Sequence, residues 1–479
     1  MNDTAGLKRL DSFPYRHRVA DVMHTPAVTA PPAMTVAEGA RRMHEAGVSS
    51  LVVVSGGRAA GIVTERDLLR TVAARGGDAL GLSLSAIMSS PVHTLAPDVF
   101  VYVALARMAR LGIRHLPVVD DENLVVGMVT AGGLLRQHAG AGLALADEVQ
   151  QAAGPADMAA ALKRLPTLAT GLLAEGTSAR EIAAVISAVI RDITARCAAL
   201  AEAALVAEGQ GPPPAAYACL VLGSAGRGES LLVPDQDNAV VHDGAEDDPW
   251  FALFGRRLAD LLNDSGVPYC RGKVMASEPL WRHSLRGWQD LIDHWVRAPA
   301  PEDLLNVDIF FDFVPVCGDR ALAKCLRAYA TAAAARAPAF LRQLAEAMKS
   351  MHPPFGLLGG LRTDGGRIDL KRGGLLPIVT GARLMALRCA SPETSTPARI
   401  AAAADAGALN AEDAAALTQG HELLLRLVLE QQIADLDAGV APSNRVELGR
   451  LARPVRRRLR DVLRQVDNIE MNVRDVLTR

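Results

Sequence analysis

Leu220-Val-Leu-Gly-Ser-Ala-Gly-Arg-Gly-Glu229, continued by Pro234-Asp-Gln-Asp-Asn-Ala-Val-Val-His242, reads as strand, glycine turn, helix start, loop and second strand. Cys219 to Leu222 is a short apolar run that suits a buried strand. Gly223, Gly226 and Gly228 let the backbone turn sharply and approach a ligand closely. Ser224 stands where backbone N–H groups can hold a phosphate. Ten residues separate Ser224 from Asp235. Asp235 and Asp237 flank Gln236, so on a strand both carboxylates project from one face. Two carboxylates so placed repel each other unless a cation lies between them. Mg²⁺ and similar hard ions take such oxygen ligands and bridge to substrate phosphates. The bland alternative is a glycine-rich turn followed by a solvated acidic loop.

Gly-Ser, ten residues, then Asp-x-Asp resembles the nucleotidyltransferase fold of the DNA polymerase β type. The finer form, Gly-Ser-x-Gly-Arg-x-Glu followed by Asp-Gln-Asp, resembles the PII-protein uridylyltransferase branch. It is more similar still to a nucleotidyltransferase-like family often fused to cystathionine-β-synthase (CBS) pairs. The resemblance implies phosphate contacts from Gly223, Ser224, Arg227 and Glu229, with Asp235 and Asp237 as catalytic metal ligands. Polymerase-type transferases add a third carboxylate from a later strand. Asp312, 75 residues after Asp237 in Asp308-Ile-Phe-Phe-Asp-Phe-Val-Pro-Val316, is the candidate for catalysis and metal binding. Asp308 shares its face by spacing and is the alternate; a structural cap or pair is the other reading of Asp312. Related sequences often carry an arginine where this chain has Val314, so that phosphate contact is lost.

The bulk numbers bound the rest. A chain of 479 residues predicts about three or four domains. Half the residues are hydrophobic, which supports real cores. With 51 basic and 53 acidic residues, the net charge of −2 gives no electrostatic reason to expect nucleic-acid binding. The six cysteines form no C-x-x-C pair and fit reduced cytosolic thiols, so a cytoplasmic location is expected. No apolar stretch is long enough to predict a membrane span.

An internal repeat precedes the glycine turn. Val22-Met23-x-x-Pro26 recurs as Ile87-Met88-x-x-Pro91, an offset of 65, and Gly61-Ile-Val-Thr64 recurs as Gly127-Met-Val-Thr130, an offset of 66. Each copy predicts an amphipathic helix (36–46, 101–111), an apolar strand (51–54, 116–119), a second strand and a closing helix. One such unit cannot bury its sheet alone, so two should pack together. The repeat resembles a tandem CBS pair, a family whose cleft can bind adenosine nucleotides. By that resemblance Thr64, Arg66 and Asp67 of the first copy match the ligand motif, with Thr130 in the second. The second copy departs from it, because Thr130-Ala-Gly-Gly133 has no acid at the matching place. A purely structural dimerisation module is the alternative, and a homodimer through this pair is expected either way.

The expected organisation is an N-terminal arm (1–17), a tandem CBS pair (18–140), a helical linker region (141–213), a polymerase β-like nucleotidyltransferase α/β domain (214–332) and a C-terminal helical substrate-binding domain (333–479). The fold class is thus multidomain, α/β and α. Residues 267–274 are expected as the third strand of the transferase sheet, and Trp288 and Trp295 as core. The segment Ile368-Asp-Leu-Lys-Arg-Gly-Gly-Leu resembles the Lys-containing loop of the uridylyltransferases, which makes Lys371 a candidate to neutralise a triphosphate; a solvated basic turn is the alternative. The resemblance implies a signal-transduction enzyme that moves a nucleoside monophosphate from a nucleoside triphosphate to an acceptor such as a protein hydroxyl. It would use Mg²⁺ or Mn²⁺, with an adenine nucleotide as effector at the CBS pair. A non-catalytic nucleotide-sensing regulator that acts through a partner is the competing reading. The hydrolase and amino-acid-binding modules of uridylyltransferases are not found in the sequence.

Overall fold

The computed structural model describes residues 18–138, 145, 148–298, 303–356 and 360–478. The expected arm at 1–17 and the stretches 139–144, 146–147, 299–302 and 357–359 lie outside the described residues. The chain divides into two compact units after Leu143.

The first unit is the duplicated one. Its first half holds α1 (Val19–Val22), β1 (Thr29–Ala30), α2 (Val36–Glu45), β2 (Ser50–Ser55), β3 (Arg58–Thr64) and α3 (Glu65–Arg75). The second half holds α4 (Val101–Leu111), β4 (His115–Val119), β5 (Val125–Thr130) and α5 (Ala131–His138). β2 and β3 pair antiparallel, as do β4 and β5. The repeated Met and Gly positions explain each other. The Met88 side chain lies where a Cβ on Gly61 would come within 2.5 Å of its sulfur, and Met23 stands at 2.6 Å in the same relation to Gly127. Each copy's leading segment therefore packs across the other copy's second strand. His24 and Met128 exchange backbone hydrogen bonds, and so do Ser89 and Ile62.

The second unit begins with α6 (Pro155–Ala174) and α7 (Ala179–Ala207). Ser178 caps α7 and shares a reciprocal capping box with Glu181. The sheet region follows: β6 (Tyr217–Val221), α8 (Gly223–Arg227), β7 (Asn238–His242), α9 (Pro249–Asp264), β8 (Arg282–Ser284), α10 (Leu285–Arg297), α11 (Asp303–Phe310) and β9 (Val314–Gly318). Strand order is β8-β7-β6-β9. β7 runs parallel to β8, and β6 is antiparallel to both β7 and β9. The remaining elements are α12 (Arg320–Ala335), α13 (Pro338–Ala347), β10 (Arg367–Asp369), α14 (Leu376–Arg388), α15 (Thr396–Asp405), α16 (Ala411–Asp437), β11 (Arg445–Glu447), α17 (Arg453–Asp467) and α18 (Ile469–Thr478). α6 and α7 share a core with β6 and α9, through Ile186, Ile190, Cys219 and Phe254.

Two strand expectations are corrected. Residues 267–274 form a turn without ladder bonds, and the third strand is β8. Asp308 sits in α11 and Asp312 in the turn after it, so neither lies on the strand, which starts at Val314. The aromatic residues around Asp312 are core: Phe310, Phe311 and Phe313 are buried with Trp288 and Trp295. Trp288 donates its indole N–H to the Val240 carbonyl at 2.9 Å, which satisfies its polar edge inside the core. Among the described residues, no helix is long and apolar enough to cross a membrane.

Candidate functional site

The ladder between β6 and β7 ends where the glycine turn begins. Val221 pairs with Asn238, and one residue further the Leu222 N–H donates to the Asp237 carbonyl at 2.8 Å. Gly223 is thereby held against Asp237 with φ +57. A Cβ at Gly223 would stand 2.1 Å from Asp237 Oδ2, so only glycine leaves room there. From the other side, the turn after α9 clamps the acidic segment. Gln236 N–H donates to the Pro268 carbonyl at 3.2 Å and Asn238 N–H to the Val274 carbonyl at 3.0 Å. The Gln236 amide bonds the Ala259 and Val267 carbonyls, and Asn238 Oδ1 accepts from Ala276 N–H.

These clamps produce the alternation expected of Asp-Gln-Asp although the segment is loop: Gln236 is buried, Asp237 partly buried and Asp235 exposed. They also bring in a side chain that the sequence reading had set aside. Ligand atoms of Asp235, Asp237 and Cys270 all lie within 4.8 Å of one another. Burial, and then the neighbouring Asp235 charge, push the Asp237 carboxyl up to about 7, against the Cys270 hydrogen bond and the Lys371 and Arg227 charges. Burial and the Asp237 charge push the Cys270 thiol up to about 11, against hydrogen bonds from the Val274 and Gly272 backbone. Two carboxylates and a thiol at this spacing, beside a glycine wall, fit a divalent cation in donor chemistry. Lys371, exposed on the single π-helical turn 371–375 before α14, acts electrostatically on Asp237 and so belongs to this neighbourhood. Ser224, at the start of α8, places its hydroxyl 3.0 Å from that of Ser230.

Asp312 does not join the pair, which corrects its assignment as third metal ligand. It is fully buried, and three arginines occupy its carboxylate. Arg227 Nη1 donates to Oδ2 at 2.5 Å, Arg383 donates to both oxygens at 3.1 and 2.7 Å, and Arg399 Nη1 to Oδ1 at 2.7 Å. Burial works to raise its pKa, but Arg383, Arg227 and Arg399 hold the carboxyl well below the usual carboxylate range. The alternate, Asp308, is spent on Arg383 and on Thr380, whose hydroxyl it accepts at 3.2 Å.

Arg227 and Glu229 are corrected likewise. They pair with each other at 2.8 Å, with side chains 11% and 6% exposed. Glu229 also accepts Thr396 N–H at 2.7 Å and lies 3.7 Å from His421 Nε2. The phosphate role expected of both gives way to a buried tie between the glycine turn and α14, α15 and α16. The signal for it was in the sequence: Arg383 stands in an otherwise apolar helical run, where a cation needs a partner.

In the first unit a cavity of about 550 Å³ is lined by Thr64, Arg66, Asp67 and Thr130, together with Arg114 and His115. All four residues expected from the CBS motif thus meet in one cleft. Asp67 doubles as a helix cap: it accepts Thr64 N–H at 3.0 Å, the Thr64 hydroxyl at 2.7 Å and Arg70 at 2.9 Å. Thr130 Oγ1 accepts Gly133 N–H at 2.9 Å and so takes the capping role without an acid.

Family profiles match three stretches of the chain. CBS domain profiles match residues 19–74 and 84–140. A profile described as "Putative nucleotidyltransferase DUF294" matches 163–302, and "Putative nucleotidyltransferase substrate binding domain" matches 338–476. The CBS domain-containing protein YhcV of Bacillus subtilis is 35% identical over 116 residues, which are 24% of this chain and 81% of that protein. The uncharacterized protein MK0525 of Methanopyrus kandleri is 37% identical over 119 residues, 25% of this chain and 61% of that protein. The chain thus spans under two thirds of MK0525's length, and both matches cover about a quarter of this chain. Among solved structures, the CBS domain protein PAE2072 from Pyrobaculum aerophilum complexed with AMP is 30% identical, covering 25% of this chain and 90% of that one at a TM-score of 0.23. The chain belongs to the CBS-domain proteins, and it joins its CBS pair to a DUF294 nucleotidyltransferase-type domain and the substrate-binding domain that goes with it.

Proposed function

We propose that this chain is a PII-uridylyltransferase-like enzyme of signal transduction, uridylyl- or adenylyl-transferring, active at Asp235 and Asp237. The single observation that supports this best is the convergence of both carboxylates on the Gly223 turn, within the field of Lys371. A Mg²⁺ or Mn²⁺ ion held there would neutralise the triphosphate and activate the acceptor hydroxyl. In the reaction, the acceptor oxygen bonds the α-phosphorus, its proton passes to water, and the α–β phosphoanhydride bond breaks to release pyrophosphate. Gly223 and Ser224 lie against the incoming phosphates, and Lys371 pairs with their charge. The acceptor is a protein hydroxyl brought in by residues 333–479. An adenine nucleotide in the cleft of Thr64, Arg66, Asp67 and Thr130 sets the activity, in a cytoplasmic homodimer joined through the CBS pair, with the boundaries given above.

The test is pyrophosphate release from each of the four nucleoside triphosphates, with Mn²⁺ and candidate acceptor proteins. Asp237→Asn should abolish it, and equal release by wild type and variant would refute the assignment. One observation favours the competing reading of a non-catalytic nucleotide sensor: Asp312, the carboxylate expected to complete the site, is locked by three arginines. On that reading metal and nucleotide bind and no pyrophosphate appears with any acceptor.

A further inference from the structure

With Asp312 withdrawn, the third donor facing Asp235 and Asp237 is sulfur. Cys270 occupies the tight turn after α9, which the backbone bonds at Gln236 and Asn238 fasten to the acidic segment. Its sulfur lies within 4.8 Å of a carboxylate oxygen of Asp235 and of Asp237, and those two oxygens lie within 4.8 Å of each other. In the same turn Lys273 holds φ 58, an uncommon conformation for a side chain of its kind. On the opposite wall Gly223 leaves room at Asp237 Oδ2.

We propose that Asp235, Asp237 and Cys270 form a mixed carboxylate–thiolate site for a borderline-soft divalent cation of the Zn²⁺ and Co²⁺ class. Three protein donors with a position left open is the arrangement of catalytic zinc sites, where a water or substrate oxygen takes the fourth place. Mg²⁺ demands a near-octahedral shell of oxygens and gains little from sulfur. The resting protein therefore prefers Zn²⁺ to Mg²⁺ when no nucleotide supplies phosphate oxygens. The inference builds on the transferase reading of this site, and it specifies the metal class and names Cys270 as a ligand.

Co²⁺ titration of the full-length, metal-free protein tests it without nucleotide or turnover. A sulfur-to-cobalt charge-transfer band should grow to saturation at one ion per chain. Cys270→Ser should lose the band and weaken Co²⁺ binding by about tenfold or more, and Asp237→Asn should weaken binding as well. Cys325→Ser, at an exposed thiol, should keep the band; its loss there would overturn the proposal. So would saturation without a sulfur band, or a band that persists in Cys270→Ser. Zn²⁺ should also protect Cys270 from alkylation in peptide mass spectra, a readout that survives if the serine variant folds poorly; alkylation at an unchanged rate would count against the site. The two readings fail separately. A Cys270-dependent band in a protein that binds no nucleoside triphosphate sinks the transferase reading alone. Metal-dependent nucleotide binding with no sulfur band sinks this inference alone.

Discussion

Asp237 carries the sharpest residue-scale consequence. Its carboxyl titrates near 3.8 ordinarily and is pushed up to about 7 here by burial and by Asp235. A folded acid with a raised pKa binds a proton that the unfolded chain has already released. Metal-free stability should therefore fall as pH rises from about 4 to about 7 and stay low above it. At about 1.4 kcal/mol per pH unit the penalty is at most about 4 kcal/mol. Asp237→Asn should remove this slope and melt higher than wild type at pH 8 without metal, and a parallel pH dependence in both proteins would count against it. Gly223→Ala should be damaging for another reason: its Cβ would meet Asp237 Oδ2 at 2.1 Å, at φ +57. Loss of about 1–3 kcal/mol and of Mn²⁺ binding is expected by denaturation and titration. The glycine turn and the two aspartates were legible in the sequence because both lie in one short segment. Cys270 was not: its place beside them depends on hydrogen bonds from Gln236 and Asn238 to a turn some thirty residues on.

At the scale of elements, the buried ion network joins α8 and the turn after α11 to α14 and α15. Removing one member strands charge in the core, at a cost of about 3–5 kcal/mol. Arg399→Met should therefore lower stability by about that much in urea unfolding of the full chain. Its folded form should keep Mn²⁺ affinity within a few-fold, because Asp312 is held by three arginines and is not among the donors gathered at Asp235 and Asp237. A large loss of metal affinity in folded protein would return Asp312 to the site. Asp312 and Glu229 are held below their usual range, so what they contribute is present above ordinary carboxylate pKa values and is lost only in strong acid. Periodicity made the helices α4 and α7 readable, while the strand expected over 267–274 failed and the one expected over 308–316 holds only from Val314. Val267 and Val274 bracket a turn whose intervening residues are mostly exposed, and Phe310, Phe311 and Phe313 are buried in the core with Trp288 ahead of the strand that starts at Val314. The pairing of β10 with β11 is nonlocal and left no mark in either segment.

For the whole molecule, the repeat offset and the glycine-aspartate motif carried the architecture, since duplication and phosphate-type turns both write themselves into spacing. The path of α6 and α7 into the core of the second unit did not show, because an amphipathic helix does not name its partner. The cleft at Thr64 and Asp67 and the donor cluster at Asp235 and Asp237 belong to different units, which allows them to be tested independently. AMP should raise the melting temperature of the full chain, with about 2.7 kcal/mol gained at a hundredfold excess over Kd. Asp67→Ala should lower that gain and also cost about 1 kcal/mol of helix capping in the absence of ligand. An undiminished AMP shift in Asp67→Ala would remove this residue from the ligand site. The central claim, that Asp235 and Asp237 handle a nucleoside triphosphate through a metal, is tested most directly by calorimetric titration of Mn²⁺-UTP and Mn²⁺-ATP into wild type and an Asp235→Asn/Asp237→Asn variant. The account predicts a metal-dependent triphosphate site that vanishes in the variant while AMP binding at the CBS cleft persists. Metal-dependent binding of equal strength in both proteins would contradict it.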